Sequence, residues 1–139
     1  MPSKPPPRGE RPERAPAPRF LNVDLDVEAG GDLSPLLEHW KGPMVTLVEP
    51  SDTGGNFARL EHSTQPTDAA DAIRRFCDAI ETLPPDLAEF WLHCPVRQLV
   101  IGYESGHEPP YYQETLSADL LARAARCFTG IGTIVYPVQ

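Results

Sequence analysis

The sequence of 139 residues lacks the motifs that identify the commonest enzymes and nucleotide-binding proteins. Its glycine pairs, Gly30-Gly31 and Gly54-Gly55, have neither the G-x-x-x-x-G-K of a phosphate-binding loop nor the G-x-G-x-x-G of a dinucleotide fold. No serine lies in a G-x-S-x-G or an S-x-x-K pattern. We therefore predict no phosphate cradle, no cofactor and no catalytic residue.

Cysteine and histidine are also too few and too badly spaced for a metal centre. The three cysteines include no C-x-x-C pair, and the four histidines include no H-x-x-x-H pair. Glu104 and His107 match E-x-x-H, but Gly102, Gly106 and Pro109 break the helix that this motif needs. No metal site is predicted, and an odd number of cysteines is typical of reduced thiols with packing roles: Cys77, Cys94 and Cys127. Only Cys94, beside His93, has a neighbour that would polarise it.

No stretch of 18 apolar residues is present, so we expect no segment that spans a membrane. The beginning of the chain is basic but has no apolar segment of the kind found in secretory signals. These two features favour a cytoplasmic protein.

Proline and positive charge are concentrated at the start of the chain. Residues 1–18 contain seven of the 17 prolines, including the P-x-x-P pattern from Pro2 to Pro5, and very few apolar side chains. Such a segment cannot bury enough surface to offset the entropy of ordering it. We predict a disordered tail over residues 1–18 and a single domain over residues 19–139.

The domain is strongly acidic. Residues 1–19 carry a net charge of +3, whereas the rest of the chain has seven basic and 18 acidic residues, a net charge of −11, which gives −8 in total. An acidic domain repels phosphate backbones and anionic lipids, so we expect neither nucleic acid nor membrane as a partner. The charge favours a basic protein or a cationic ligand, or serves solubility alone.

Residues 21–28 alternate between apolar and polar side chains without interruption, which predicts a half-buried strand. Further strands are predicted over residues 44–49, 56–62, 96–103, 111–116 and 131–136. The second of these six is apolar on both faces apart from Thr46, so we expect it in the centre of the sheet.

Helices are predicted between these strands. One begins near Asp32 or Ser34, with Pro35 in its first turn; a longer one covers residues 67–82 with Thr67 as its N-cap. A short helix over residues 86–93 and one that follows Ser117 complete the order β-α-β-β-α-α-β-β-α-β. This order predicts an α+β fold: a single, largely antiparallel six-stranded sheet with about three helices packed on one face.

Two surfaces are candidates for partner binding. The first is the polar face of the first strand, where three carboxylates lie two residues apart: Asp24, Asp26 and Glu28. These carboxylates form either a solvated face or an acidic stripe that binds a basic protein. Their spacing alone would also suit a pair of catalytic acid and base groups. The second is a turn rich in tyrosine, where aromatic rings with polar ends are typical of binding surfaces: Tyr103, Glu104, His107, Glu108, Tyr111 and Tyr112. The alternative for this turn is a hairpin whose tyrosines pack the sheet.

Several segments resemble a group of small bacterial α+β proteins of unknown function. They are the strand and helix start over residues 20–38, the run Ile80-Glu-Thr-Leu-Pro-Pro and the run Ile101-Gly-Tyr-Glu-Ser-Gly, which together extend over most of residues 20–136. The resemblance implies a shared fold. It brings no known activity, so it assigns no role to any residue.

Three functions remain open. The first is a non-enzymatic binding module with an acidic surface for a basic partner, similar in character to the immunity proteins that neutralise basic toxins. The second is a small-molecule sensor or enzyme with a pocket near residues 103–112. The third is a structural accessory that is tethered by the basic tail.

Overall fold

The protein is described by a computed structural model that covers residues 17–50, 56–106 and 112–137. These residues form five strands and four helices in the order β-α-β-β-α-α-β-α-β. The strands are β1 (Arg19–Glu28), β2 (Met44–Val48), β3 (Phe57–His62), β4 (Val96–Glu104) and β5 (Gly130–Tyr136). The helices are α1 (Ser34–Trp40), α2 (Ala69–Glu81), α3 (Pro85–Leu92) and α4 (Ala118–Cys127). The predicted α+β class is confirmed.

The five strands form one sheet in the order β2-β3-β1-β4-β5. The pairs β2–β3, β3–β1 and β1–β4 are antiparallel, and β4–β5 is parallel. The central position of β1 follows from its alternation: Val23, Leu25 and Val27 are at most 1% exposed and lie on one face, while the polar residues between them lie on the other.

One hydrophobic core joins that apolar face of the sheet to the helices. Leu60 of β3 and Leu99 of β4 extend the apolar face on either side of β1, and Phe76 of α2 and Trp91 of α3 cover it. The helix residues that enter the core recur at three- and four-residue spacing, as expected of amphipathic helices. The described helices therefore pack against one face, and the opposite face, called the open face below, carries the polar side chains of β1 and β3.

The helix starts follow from side-chain capping. Ser117 accepts a hydrogen bond from the backbone N–H of Leu120 and caps α4 as predicted. The predicted cap of α2 was wrong by one residue, because Asp68 rather than Thr67 accepts from the N–H of Asp71 at 2.7 Å. At α1 neither predicted residue caps the helix from the N-cap position, although Asp32 accepts from the N–H of Ser34 at 2.9 Å.

The prediction of six strands was wrong, because the described residues form a sheet of five. Residues 112–116 of the predicted strand 111–116 form no strand, and Tyr111 lies outside the described residues. The physical reason is Glu114, whose carboxylate accepts from the N–H of Ala69 at 2.7 Å and from the hydroxyl of Tyr112 at 3.0 Å. These bonds attach the segment to the first turn of α2 and not to a neighbouring strand.

The predicted central position of the second strand was also wrong. β2 is an edge strand, and three of its apolar side chains are at least 40% exposed: Val45, Leu47 and Val48. A register shift between Thr46 and Val48 interrupts its pairing with β3, as is common at sheet edges.

The number of helices also differs from the prediction. About three were predicted, and the described residues form four, since α3 is a full helix of eight residues.

Most of the predicted tail, residues 1–16, lies outside the described residues. Within the described ranges, no helix has both the length and the apolar character needed to cross a membrane.

Candidate functional site

The open face of the sheet carries a cluster of charged and amide side chains, which we call the acid cluster: Asn22, Asp24, Asp26, Arg59 and Glu61. Its geometry follows from the register of the strands. Asp24 lies opposite Glu61 and Asp26 lies opposite Arg59 across the β1–β3 pair. Side chains directly opposite in an antiparallel pair are close enough to interact, so the register makes one favourable and one unfavourable charge pair.

The favourable pair is between Asp26 and Arg59. The guanidinium donates to both carboxylate oxygens, Nε to Oδ1 at 2.7 Å and Nη2 to Oδ2 at 2.9 Å. The Asp26 side chain is 14% exposed, and the hydrogen bonds from Arg59 to this carboxylate raise the pKa of the arginine. A two-pronged pair of this kind is geometrically specific and leaves Asp26 with its charge balanced.

The unfavourable pair is between Asp24 and Glu61. Among the described residues neither carboxylate has an ion-pair partner, and one amide, Nδ2 of Asn22, donates to Asp24 at 3.1 Å and to Glu61 at 3.4 Å. Burial first and the nearby charge of Glu61 second raise the pKa of Asp24 to about 6, against the lowering effect of Arg59. Asp24 is therefore a carboxylate whose negative charge is costly near neutral pH.

A shallow groove of about 460 Å³ adjoins the acid cluster. It is lined by Leu21, Asn22, Glu61, Gln65, Glu104, Tyr136 and Pro137. The absence of a side chain at Gly102 makes room here, since a Cβ at that position would lie 2.8 Å from Oδ1 of Asn22 and 3.5 Å from the ring of Tyr136. The groove thus offers two carboxylates, two amides and an aromatic ring to an incoming cation.

Glu28, the third predicted carboxylate of the strand, does not join this cluster. It is exposed at the end of β1, opposite Phe57 on one side and Val96 on the other. The described hydrogen bonds and ion pairs of the protein do not include its side chain. The three carboxylates of the predicted acidic stripe therefore differ in their surroundings. The charge of Asp26 is balanced by Arg59, the charge of Asp24 has no such partner among the described residues, and Glu28 is exposed to solvent.

Tyr103, from the second predicted surface, lies on the helix-covered side of the sheet. Tyr103 packs between two aromatic rings, at 6.2 Å from Phe20 and 5.5 Å from Tyr112. Burial, followed by the charge of Glu114, raises the pKa of Tyr103 to about 12. Of the other predicted residues, Glu104 lies beside Arg19, with 3.1 Å between Nε and Oε1, while His107, Glu108 and Tyr111 lie outside the described residues.

A cavity of about 350 Å³ opens at this second surface. Its lining includes both tyrosines and two carboxylates: Pro18, Tyr103, Glu104, Ser105, Gly106, Tyr112, Glu114 and Val135. Aromatic faces next to carboxylates suit an organic cation. Glu104 lines both this cavity and the groove beside the acid cluster.

Sequence reasoning missed four residues of these surfaces: Asn22, Arg59, Glu61 and Glu114. The alternation in residues 56–62 does place Arg59 and Glu61 on one face of a strand. What it does not give is the neighbouring strand, and only the β1–β3 register brings Glu61 to Asp24. No local sequence pattern indicates the role of Glu114, because its hydrogen-bond partner, Ala69, is 45 residues away in the chain.

The thiols and possible metal ligands form no reactive site among the described residues. No group of three metal-ligating side chains occurs there. All three cysteines are buried, and burial raises the pKa of each, for Cys77 to about 12. Cys94, the thiol that the sequence singled out, donates to the carbonyl of Phe90 at 3.4 Å.

Comparisons of the chain with protein families, with curated proteins and with solved structures found no match. The resemblance to small bacterial α+β proteins stays a prediction.

Proposed function

We propose that this protein is a non-enzymatic binding module whose acid cluster receives a lysine or arginine side chain of a basic partner protein. The observation that carries the proposal is the pair of unbalanced carboxylates, Asp24 and Glu61, which face each other beside an open groove. A lysine or arginine side chain placed there would attract both carboxylates and reduce their summed charge from −2 to −1. The relief of the repulsion between the two carboxylates would then contribute favourably to the free energy of binding.

The charge of the whole domain supports the same partner. The net charge of −11 from Phe20 onward attracts a basic protein over a long range and accelerates the encounter. The acid cluster adds specificity, because Asp26 is already held by Arg59 and leaves Asp24 and Glu61 as the receptors. In complexes between small acidic inhibitors and basic targets, net charge likewise accelerates association and a few charged residues give specificity. This protein is similar to such inhibitors in character.

The test separates the acid cluster from the overall charge. The double variant Asp24→Asn, Glu61→Gln removes two charges from the open face. Its matched control, Glu38→Gln, Glu89→Gln, removes two exposed charges from α1 and α3. Tagged proteins are used to capture partners from the source cell at low and at high salt, and the affinity of any captured basic protein is then measured.

We expect the native protein and the helix control to retain a basic partner at low salt, and the double variant of the acid cluster to lose it. The affinity should rise as the pH increases through about 6, because Asp24 gains its charge there. Equal losses in both double variants would show that only net charge matters. Failure of the native protein to retain any basic protein at low salt, where attraction is strongest, would remove the proposal.

The cavity near Tyr103 favours a second candidate function, the binding of a small organic cation. Titration with tetramethylammonium, followed through the NMR signals of Tyr103 and Tyr112, tests it directly. Shifts that saturate, and that disappear in Glu114→Gln, would support a ligand site. Unchanged spectra at millimolar ligand would reject a site for such a cation.

A further inference from the structure

The strand β5 forms the outer edge of the sheet on the side opposite β2. It pairs with β4 along seven residues without a register shift. No other strand of the described residues borders its outer side. An edge of this kind presents unpaired backbone groups to any strand that can approach it.

The side chains of β5 are unusually apolar for an edge strand. Ile131 is 37% exposed, Ile134 43%, Val135 62% and Tyr136 46%. The exposed residues occur on both faces of the strand, so neither the helices nor the acid cluster covers this edge. The strand contains no charged residue, no proline and no bulge, which are the devices that normally protect an edge from pairing.

The opposite edge is different. β2 has only five residues, and its register shift lies between Thr46 and Val48. Charged residues, Lys41 and Glu49, flank it on both sides. The two edges therefore offer a natural comparison, one protected and one not.

The backbone of β5 shows which groups are free. The carbonyl of Tyr136 accepts from the N–H of Ser105, the residue that follows β4. Because successive residues of a strand alternate the side to which their N–H and C=O point, Gly130, Gly132 and Ile134 also face β4. The backbone groups of Ile131, Thr133 and Val135 then face outward and can form a new ladder.

We propose that two copies of this protein associate by antiparallel pairing of β5 with β5, with the two-fold axis at Thr133. This register places each glycine of one strand opposite a large residue of the other, Gly132 opposite Ile134 and Gly130 opposite Tyr136. On the other face Ile131 lies opposite Val135, and Thr133 lies opposite its own copy. Every large side chain thus meets a small or a β-branched one.

The hydrogen-bond pattern fits the same register. The outward backbone groups of the two Thr133 residues meet as a hydrogen-bonded pair, and those of Ile131 and Val135 form the next such pairs. Gly132 and Ile134, whose groups face β4, form the non-hydrogen-bonded pairs between them. A register moved by one residue would pair inward with outward groups and lose the ladder.

The sequence of β5 is the reason to choose a second copy as the occupant of this edge. Two domains that each carry −11 repel each other, and an uncharged edge is the surface where a second copy meets the least repulsion. The strand Gly130–Tyr136 is uncharged and self-complementary. The two-fold axis stands perpendicular to the sheet, so both open faces lie on the same side of a continuous ten-stranded sheet. The proposal does not depend on what the acid cluster binds.

The first experiment measures mass in solution. Light scattering across a wide range of concentration should show that the native chain of 139 residues changes from a monomer to a dimer. Ile134→Lys should raise the dissociation constant at least about tenfold, because it places a charge opposite the glycine of the other copy. The control Val45→Lys adds the same charge at an equally exposed position of β2 and should leave the dimer unchanged.

The second experiment measures register. Thr133→Cys should form a disulfide between two copies under mild oxidation, because opposite residues of a hydrogen-bonded pair lie about 5.5 Å apart at Cα, a distance that a disulfide spans. The control Ile131→Cys, on the same face, should not link to itself. A link through Ile131→Cys alone, dissociation by Val45→Lys in place of Ile134→Lys, or a monomer at every concentration would each overturn the proposal. Loss of the dimer does not change the expected binding by the acid cluster of each copy, so the two proposals fail separately.

Discussion

The carboxylate of Asp24 lies opposite the carboxylate of Glu61 across the β1–β3 pair, and the amide of Asn22 donates to both. Two like charges in this arrangement are destabilising in most sheets. The neighbouring pair, Asp26 with Arg59, shows that the same two strands also accommodate a balanced pair. The cost at Asp24 is therefore local, and it is the property that makes the open face responsive to pH and to cations.

The stability of the protein should reflect the titration of Asp24. Its pKa in the folded protein is about 6, above its ordinary value of 3.8, so folding favours the protonated carboxyl. This favourable contribution is complete below about pH 4 and is lost as the pH rises through about 6. Asp24→Asn should therefore stabilise the protein at about pH 8, by about 1–2 kcal/mol after allowance for solvent screening of a half-buried group. At about pH 4 the substitution should change little, because the native carboxyl is already largely protonated there.

Urea unfolding at the two pH values measures this difference. Asp26→Asn is the control, because it weakens a balanced pair and should destabilise the protein at the higher pH. A loss of stability in Asp24→Asn at the higher pH would contradict the assignment of Asp24 as an unbalanced charge.

The pKa of Asp24 should respond in opposite directions to its two neighbours. Glu61→Gln removes a negative charge and should lower the pKa of Asp24 towards its ordinary value. Arg59→Gln removes a positive charge and frees the charge of Asp26, so it should raise the pKa of Asp24 above about 6. NMR titration of the carboxyl carbon of Asp24 gives both values. An unchanged pKa of Asp24 in both variants would show that burial alone, and not these two charges, controls the titration.

Local patterns of the sequence predict most of the elements but not their pairing. The alternation in residues 21–28 identifies β1 and its buried face, because period two is a property of a single strand. The opposition of Asp24 and Glu61 depends on the register of two strands that are separated by α1 and β2. No local pattern contains that register. For the same reason β2, which is apolar on both faces, was predicted in the centre and lies at an edge.

The segment before α4 shows a second limit. Its tyrosines and β-branched Thr115 favour a strand, but Glu114 instead accepts from the N–H of Ala69 at the start of α2. A helix start needs partners for its free N–H groups, and a distant carboxylate supplies one here. Since such a contact depends on the tertiary fold, sequence propensity predicts the wrong structure.

Glu114 should therefore stabilise the start of α2. Glu114→Ala leaves the N–H of Ala69 without this acceptor and should cost about 1 kcal/mol, as the loss of a helix cap does. The same variant should lower the pKa of Tyr103 from about 12, since the charge of Glu114 contributes to that value. Thermal unfolding gives the first quantity, and ultraviolet titration with Tyr103→Phe as reference gives the second.

Glu114→Gln is the matched control for this contact. It keeps a carbonyl oxygen as an acceptor but removes the charge, so it should lower the pKa of Tyr103 with a smaller loss of stability. Equal stability losses in the two variants would show that the charge of Glu114, and not its hydrogen bond, supports the helix start.

The three thiols should be unreactive in the folded protein. Cys77, Cys94 and Cys127 are at most 4% exposed, and burial raises the pKa of each. Since the thiolate is the reacting species, labelling by a disulfide reagent at neutral pH should be more than about 100-fold slower than that of a small thiol. In urea all three should react at the ordinary rate. Rapid labelling of one thiol in the folded protein, abolished by Cys94→Ala, would instead identify Cys94 as a nucleophile and favour an enzyme over a binding module.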